Sequence, residues 1–186
     1  MSRWNQDRDK CHRRAADVTY IKHPWAPIYN ERSKVLILGT MPSPKSVEFG
    51  FYYGNPQNCF WRTLARALEI KEPPADRASR EAFLLRYGIA LWDVLYSCEI
   101  EGAADDSIKN PVVNKFAPLL AKTRIFAIFT TGKAATALFN NHCAVEAGIS
   151  AVYLPSTSPA NRAAQSRPAF MEHWAQVARV LRLQDQ

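Results

Sequence analysis

The sequence lacks the hallmarks of several common protein classes. It has only 4 cysteines, at positions 11, 59, 98 and 143, and none of them forms a C-x-x-C pair. Structural zinc sites and iron–sulfur clusters need close cysteine spacing, so this pattern indicates reduced thiols and no metal centre. No apolar run approaches the roughly 20 residues of a membrane span. The first ten residues are polar and unlike a secretion signal, so we expect an intracellular, cytoplasmic protein.

Motifs for nucleophilic or metal-dependent catalysis are also missing. The chain has no G-x-S-x-G, H-E-x-x-H or Walker motif, and Gly132-Lys133 lacks the flanking residues of a P-loop. Its 4 histidines, at 12, 23, 142 and 173, lie away from the two loops with the most unusual composition. The sequence therefore predicts a reaction that needs little side-chain nucleophilicity and neither a metal nor an organic cofactor.

The composition is that of a folded, basic protein. Hydrophobic residues make up 47% of the 186 positions, which is enough for one domain with a real core. The net charge of +7 favours polyanionic partners, although many basic proteins have no nucleic-acid function. We expect residues 1–33 to form an irregular arm, either packed or in contact with phosphates, and residues 34–186 to form a single, monomeric domain.

Strand-like and helix-like segments alternate along the chain. Strands are predicted at 34–38, 89–95, 125–129 and 150–154, and a polar loop is predicted at 99–110. Alternation of this kind predicts a three-layer α/β/α fold around a four-stranded parallel sheet, with every strand ending at the same edge. Helices are predicted at 58–69, at 79–87 with Ser79 as N-cap and Gly88 as the stop, at 111–121, at 133–140, and after Arg167.

Ligands of open α/β sheets bind beyond the carboxyl ends of the strands. Two of the four loops at that edge are rich in proline and hydroxyl side chains: Gly39–Ser46 reads GTMPSPKS, and residues 154–162 read LPSTSPANR. Small hydroxyls and backbone amides suit phosphate oxygens, but the same residues also dominate ordinary turns. Both interpretations remain open for each loop alone.

The segment Gly50–Trp61, GFYYGNPQNCFW, is the most informative stretch of the chain. Its aromatic faces can stack on a base that has left the double helix, and its amides can both donate and accept hydrogen bonds. Asn58 stands at the start of a predicted helix and could be a helix cap. Phe60 and Trp61 are better explained as core residues.

Together, these motifs resemble the hypoxanthine-DNA (deoxyinosine) glycosylases, a branch of the uracil-DNA glycosylase superfamily. The resemblance covers roughly residues 33–180 and implies removal of a deaminated base from DNA, preferably hypoxanthine. The resemblance also implies that Asn58 is the catalytic residue, because the catalytic residue of that branch is an asparagine in the corresponding aromatic segment. Two positions depart from the uracil enzymes: Met41 replaces a polar residue that acts on water, and Leu154 replaces the polar residue before Pro-Ser.

On this basis we predict a monofunctional enzyme, since nothing marks Lys45 as a Schiff-base lysine. The predicted base pocket consists of Thr40, Met41, Pro42, Phe51 and Tyr53. The predicted DNA contacts are Ser43, Lys45, Ser46, Ser156, Thr157, Ser158, Asn161 and Arg162. Three alternatives remain: a uracil or broad-specificity glycosylase, a non-catalytic DNA-binding relative, and a hydrolase of free nucleosides.

Overall fold

The computed structural model describes residues 18–101 and 104–183. In chain order, the strands in this part are β1 Val18–Lys22, β2 Val35–Gly39, β3 Ile89–Asp93, β4 Leu95–Glu101, β5 Lys109–Val113, β6 Ala127–Thr131 and β7 Ala151–Leu154. The α-helices are α1 Pro44–Glu48, α2 Phe60–Ala67, α3 Arg77–Arg86, α4 Ala117–Leu120, α5 Lys133–His142, α6 Ala144–Ala147, α7 Arg162–Gln165 and α8 Pro168–Arg182. Short 3-10 turns occupy Asp105–Ser107 and Pro159–Asn161.

The four predicted strands form the central sheet. Its order is β3-β2-β6-β7, and all neighbouring strands are parallel, with Val35 opposite both Ile89 and Ala127. Strand β2 is buried along its whole length, as expected where both faces of a sheet are covered. Because side chains alternate between the two faces, Val35 and Ile37 enter one core and Leu36 and Leu38 enter the other.

Helices cover both faces, so the predicted three-layer α/β/α architecture is confirmed. On one face, α2, α3 and α8 contribute Phe60, Leu64, Leu84 and Trp174 to the first core. On the other face, α5 contributes Phe139 to the second core, together with side chains from α4 and β4.

A second sheet that we did not predict lies beside the first. It has three antiparallel strands in the order β1-β4-β5. The prediction of a loop at 99–110 is therefore wrong at its two ends, which belong to β4 and β5. The predicted helix at 111–121 is shorter in the structure, where only α4 is helical. Proline lacks an N–H and looked like a helix start, but Pro111 lies in an edge strand, where a missing donor is tolerated.

Residues 18–33 are more ordered than expected. Strand β1 lies within the range predicted to be irregular, and Ile28 pairs with Leu91 of β3 in an antiparallel bridge. These contacts tie residues 18–33 to both sheets. The first part of the predicted arm, with the basic residues Arg3, Arg8, Lys10, Arg13 and Arg14, lies outside the described residues. The boundary between arm and domain at residue 33 stays a prediction.

The start of helix α3 also differs from the prediction. Its N-cap is Asp76, whose side chain accepts from the Ser79 amide, while the Ser79 hydroxyl accepts from the Asp76 amide. This reciprocal capping box starts the helix three positions earlier than the sequence suggested. None of the helices in residues 18–101 and 104–183 combines the length and hydropathy of a membrane-spanning segment.

Candidate active site

A cavity of about 980 Å³ opens at the carboxyl edge of the central sheet. The loops that follow β2, β6 and β7 line it, together with the end of β3 and the aromatic segment that precedes α2. A volume of this size can hold a nucleoside. Most of the predicted site residues meet around it: Thr40, Met41, Pro42, Ser43, Lys45, Ser46, Tyr53, Asn58, Ser156, Thr157, Ser158 and Asn161.

Two predicted residues do not line this cavity. Phe51 is 5% exposed, stacks on Trp61 at a centroid distance of 6.0 Å, and faces a separate cleft beside Trp25 and Arg77. Of the three adjacent aromatic rings, Tyr52 and Tyr53 line the cavity at the sheet edge and Phe51 does not, so a place for Phe51 in the base pocket stays a prediction that this cavity does not support. Arg162 is exposed at the start of α7, outside the cavity, and a role for it in DNA contact stays a prediction.

Asn58 lies at the wall of the cavity and also supports helix α2. Its side-chain oxygen Oδ1 accepts a hydrogen bond from the Phe60 amide at 3.0 Å, and its own amide donates to the Asn55 carbonyl. Since Phe60 N–H can only donate, the atom facing it must be oxygen. The Nδ2 amino group is then left as a donor, and no residue in the described ranges accepts from it. Asn58 thus caps the first amide of α2 from the position just before the helix N-cap, Cys59, and is also a candidate donor to a ligand.

Tyr53 forms the aromatic wall of the cavity. Its ring stacks on Phe60 with centroids 3.8 Å apart and planes 4° apart, which leaves one face for a ligand. The backbone φ angle of Tyr53 is 51°, in the left-handed region, which is a strained conformation for a tyrosine. The hydroxyl lies 2.9 Å from Thr131 Oγ1. Burial, reinforced by the nearby Asp93 charge, raises the pKa of Tyr53, so the phenol stays neutral.

The first loop is held by its own hydroxyl groups. Ser43 caps α1 by accepting from the Ser46 amide, and the two hydroxyls are 3.1 Å apart. Thr40 donates to Asp105 at 3.1 Å. Desolvation raises the pKa of the Asp105 carboxyl, and the hydrogen bond from Thr40 partly offsets this rise. Lys45 is exposed at the rim, where its ammonium group can meet a phosphate.

The last loop is fixed by two amide side chains. Asn161 donates to the Ser156 carbonyl at 2.9 Å, and Gln165 donates to the Ser158 carbonyl at 2.7 Å. Thr157 is 1% exposed, and within the described chain its hydroxyl has no hydrogen-bond partner although it lines the cavity. A buried hydroxyl without a partner costs free energy, which a bound ligand can recover.

The sequence-based prediction missed a buried histidine–aspartate pair. Asp93, at the end of β3, lines the cavity, and its Oδ2 lies 2.8 Å from Nε2 of His23. The position of Asp93 at the carboxyl edge was a usable signal. His23 gave no signal, because it comes 70 positions earlier, in a segment that we expected to be irregular.

Within residues 18–101 and 104–183, no group of three or more histidine, cysteine, aspartate or glutamate side chains is placed to hold a metal ion. Cys59, Cys98 and Cys143 are free thiols, and Cys11 lies outside the described residues.

The layered fold and the cavity at the sheet edge define a class of α/β proteins that bind ligands beyond the carboxyl ends of parallel strands. The family model of the uracil DNA glycosylase superfamily matches residues 26–179. The chain belongs to the uracil DNA glycosylase superfamily, which confirms the resemblance inferred from the motifs.

Similar proteins point to one branch of this superfamily. The chain is 33% identical over 154 residues to a protein of Methanosarcina acetivorans named Hypoxanthine DNA glycosylase, covering 76% of the chain and 89% of that relative. It is 35% identical over 98 residues to a protein of the same name from Methanosarcina barkeri, covering 53% of the chain and 62% of that relative. A solution NMR structure of a candidate uracil DNA glycosylase from M. acetivorans superimposes with a TM-score of 0.74 at 28% identity, covering 88% of this chain and 99% of that one.

Proposed function

We propose that this protein is a DNA glycosylase that hydrolyses the N-glycosidic bond of deaminated bases, with hypoxanthine as its preferred target. The observation that carries the proposal is the position of Asn58, which lines a cavity large enough for a nucleoside and whose amino group has no acceptor among the described residues. Membership of the superfamily and the names of the two Methanosarcina relatives support the same function.

The cavity walls suit a nucleotide that has rotated out of the duplex. Tyr53 offers one free aromatic face for stacking, and Met41 and Pro42 add apolar surface from the first loop. The last loop lines the same space through Ser156, Thr157 and Ser158, and the Thr157 hydroxyl has no hydrogen-bond partner in the described part of the chain. Lys45 and Ser43 contact the flanking phosphates in this arrangement, which holds the strand while the base enters.

The chemistry requires stabilisation of a departing base. As the glycosidic bond lengthens, the sugar becomes positively charged and the base becomes negatively charged. Hypoxanthine leaves more readily than adenine because its carbonyl group delocalises that negative charge. The Asn58 amino group donates a hydrogen bond to the departing base, and this fixed dipole stabilises the transition state more than the ground state. Water then attacks the sugar, and the products are the free base and an abasic site.

A second candidate function is that of a DNA-binding relative without catalytic activity. Met41 favours this candidate, because a thioether at the cavity wall can neither activate nor orient water. The unengaged Asn58 amino group favours catalysis.

A panel of oligonucleotides with single lesions tests the proposal. Hypoxanthine, uracil and xanthine duplexes and free deoxyinosine are incubated with excess protein, and abasic sites are cleaved with alkali. We expect hypoxanthine release to be fastest, with no strand break before alkali and no hydrolysis of the free nucleoside. Binding without release from any duplex would establish the non-catalytic candidate, and faster release of uracil would reverse the base preference.

A further inference from the structure

Two carboxylates line the cavity, and they differ in their access to solvent. Asp93 and Asp105 are the only acidic side chains among the described residues that line it. Asp93 is 4% exposed at the end of β3, and His23 engages its Oδ2 at 2.8 Å. Asp105 is exposed, so water reaches it. A nucleotide that enters base first leaves its sugar toward the exposed end of the cavity, where Asp105 stands.

The position of Asp105 is set by the antiparallel sheet and by the first loop together. The residue begins the 3-10 turn Asp105–Ser107, which lies between β4 and β5. The Ser107 hydroxyl accepts from the Glu101 amide at 2.9 Å and so ties the turn to the end of β4. From the first loop, the buried Thr40 side chain donates to Asp105 Oδ2 at 3.1 Å. These contacts hold the carboxyl between the two elements.

One oxygen of Asp105 has an unused capacity to accept a proton. Thr40 donates to Oδ2, and no residue in the described ranges donates to Oδ1. The polar and titratable groups near the carboxyl are Thr40 of the first loop, Tyr53 of the aromatic segment, Asp93 of β3, Cys98 of β4 and Asp106 of the same turn. Desolvation raises the pKa of Asp105, the Thr40 hydrogen bond opposes this rise, and the charges of Asp93 and Asp106 add to it. A carboxylate with a raised pKa takes a proton from water more readily than an ordinary one.

The other titratable side chains that line the cavity are phenols and lysines. Burial raises the pKa of Tyr52 and of Tyr53, so both of these phenols keep their protons. Lys45 and Lys133 are cationic side chains, which repel a sugar that becomes positively charged. No histidine in the described part of the chain lines the cavity. Asp105 is therefore the group best suited to act on water beside the sugar.

We propose that Asp105 is the general base that takes a proton from the attacking water and stabilises the positively charged sugar. This inference rests on the proposed function. The water oxygen forms a bond to C1′ of the sugar while the bond from C1′ to N9 of hypoxanthine breaks, and the electron pair of that bond leaves with hypoxanthine. Asp105 Oδ1 accepts the proton that the water loses. The proton then passes through solvent to the hypoxanthine anion, which restores the carboxylate.

The test compares two neighbouring acids of the same turn. Asp105→Asn keeps an oxygen that accepts from Thr40, but it removes the negative charge and the proton acceptor. Asp106→Asn is the matched control, because Asp106 is exposed and does not line the cavity. Single-turnover release of hypoxanthine from an inosine-containing duplex is measured for both variants. We expect Asp105→Asn to lower the rate about 10²- to 10⁴-fold, the range for a general base, and Asp106→Asn to leave it unchanged.

The pH profile of the rate distinguishes a general base from a structural link. In the wild-type protein, the rate should fall as pH drops through the pKa of Asp105, because a protonated carboxyl cannot take a proton from water. This acidic limb should be absent from the residual activity of Asp105→Asn. Thr40→Val removes the hydrogen bond that lowers the pKa of Asp105, so its acidic limb should lie at higher pH than that of the wild-type protein.

The outcomes separate this inference from the proposed function. A loss of rate in Asp105→Asn no larger than that in Asp106→Asn would overturn the inference alone, and so would an acidic limb that persists in Asp105→Asn. If Asp105→Asn does not fold, the wild-type profile decides, and a rate that stays constant between about pH 4 and pH 8 would overturn the inference. No release of hypoxanthine by the wild-type protein would overturn the proposed function itself.

Discussion

Replacement of Asn58 separates its two structural roles. Asn58→Ala removes both the Oδ1 acceptor that caps Phe60 N–H and the Nδ2 donor of a side chain that lines the cavity. Asn58→Asp keeps an oxygen for the cap but has no amino group. The two variants therefore share the loss of the donor and differ in the loss of the cap.

The magnitudes follow from these contacts. Loss of this hydrogen bond to Phe60 N–H should lower the free energy of unfolding of Asn58→Ala by about 1 kcal/mol, whereas Asn58→Asp should keep the hydrogen bond and its stability. Loss of a preorganised donor to the transition state should lower the rate of base release about 10²- to 10³-fold in both variants. Binding to DNA should change little, because the flanking phosphates contact other residues.

The assay is single-turnover release of hypoxanthine from an inosine-containing duplex, with binding measured separately by fluorescence anisotropy and stability by urea unfolding. Asn141→Ala is the matched control, because Asn141 is an exposed asparagine on α5 that does not line the cavity. Near-normal release by Asn58→Ala would remove Asn58 from catalysis. Full activity in Asn58→Asp alone would refute the donor role and indicate that an oxygen at this position orients water.

Three further predictions concern specificity, stability and pH. Met41→Asn should raise the rate of uracil release, because it places an amide that can hold water at the cavity wall. An unchanged rate in the lesion assay would count against the match between Met41 and the polar residue of the uracil enzymes. Trp174→Ala should lower the free energy of unfolding by about 3–5 kcal/mol, because the side chain is fully buried and donates to the Pro155 carbonyl. Urea unfolding measures this loss, and a value below about 1 kcal/mol would contradict the burial of Trp174 in the core. Desolvation raises the pKa of Asp105, so the folded state holds this proton more tightly than the unfolded chain, and stability falls as pH rises from the ordinary pKa of about 3.9 through the raised one. Asp105→Asn should weaken that fall in thermal melts between about pH 3 and pH 7, and an identical pH profile would show that Asp105 titrates normally.

The parts of the fold that were predictable are those with a strong local pattern. The continuous apolar run that became β2 and the four-residue spacing of Phe60, Leu64 and Leu68 identify buried elements directly. Alternation of strands and helices then fixes the parallel sheet and its ligand edge. The loops rich in proline and hydroxyl groups came together because sheet topology places them at one edge, whatever their separation in sequence.

The parts that were missed depend on distant contacts. Strand β1 pairs with β4 about 80 positions later in the chain, and neither has the pattern of a strand in a buried parallel sheet. The His23–Asp93 pair has the same origin, since one member comes from the N-terminal segment. Phe51 and Tyr53 are two positions apart in one aromatic segment, but Tyr53 lines the cavity and Phe51 does not, and the left-handed backbone at Tyr53 that accompanies this difference has no signal in the residue types.

A structure of Asn58→Ala bound to an inosine-containing duplex would test the central claim most directly. The variant should bind the lesion without releasing the base, so the intact nucleotide can be observed. We predict that the hypoxanthine ring lies in the cavity at the carboxyl edge of the sheet, stacked on Tyr53. A base that remains stacked in the duplex, or that lies outside this cavity, would contradict the account.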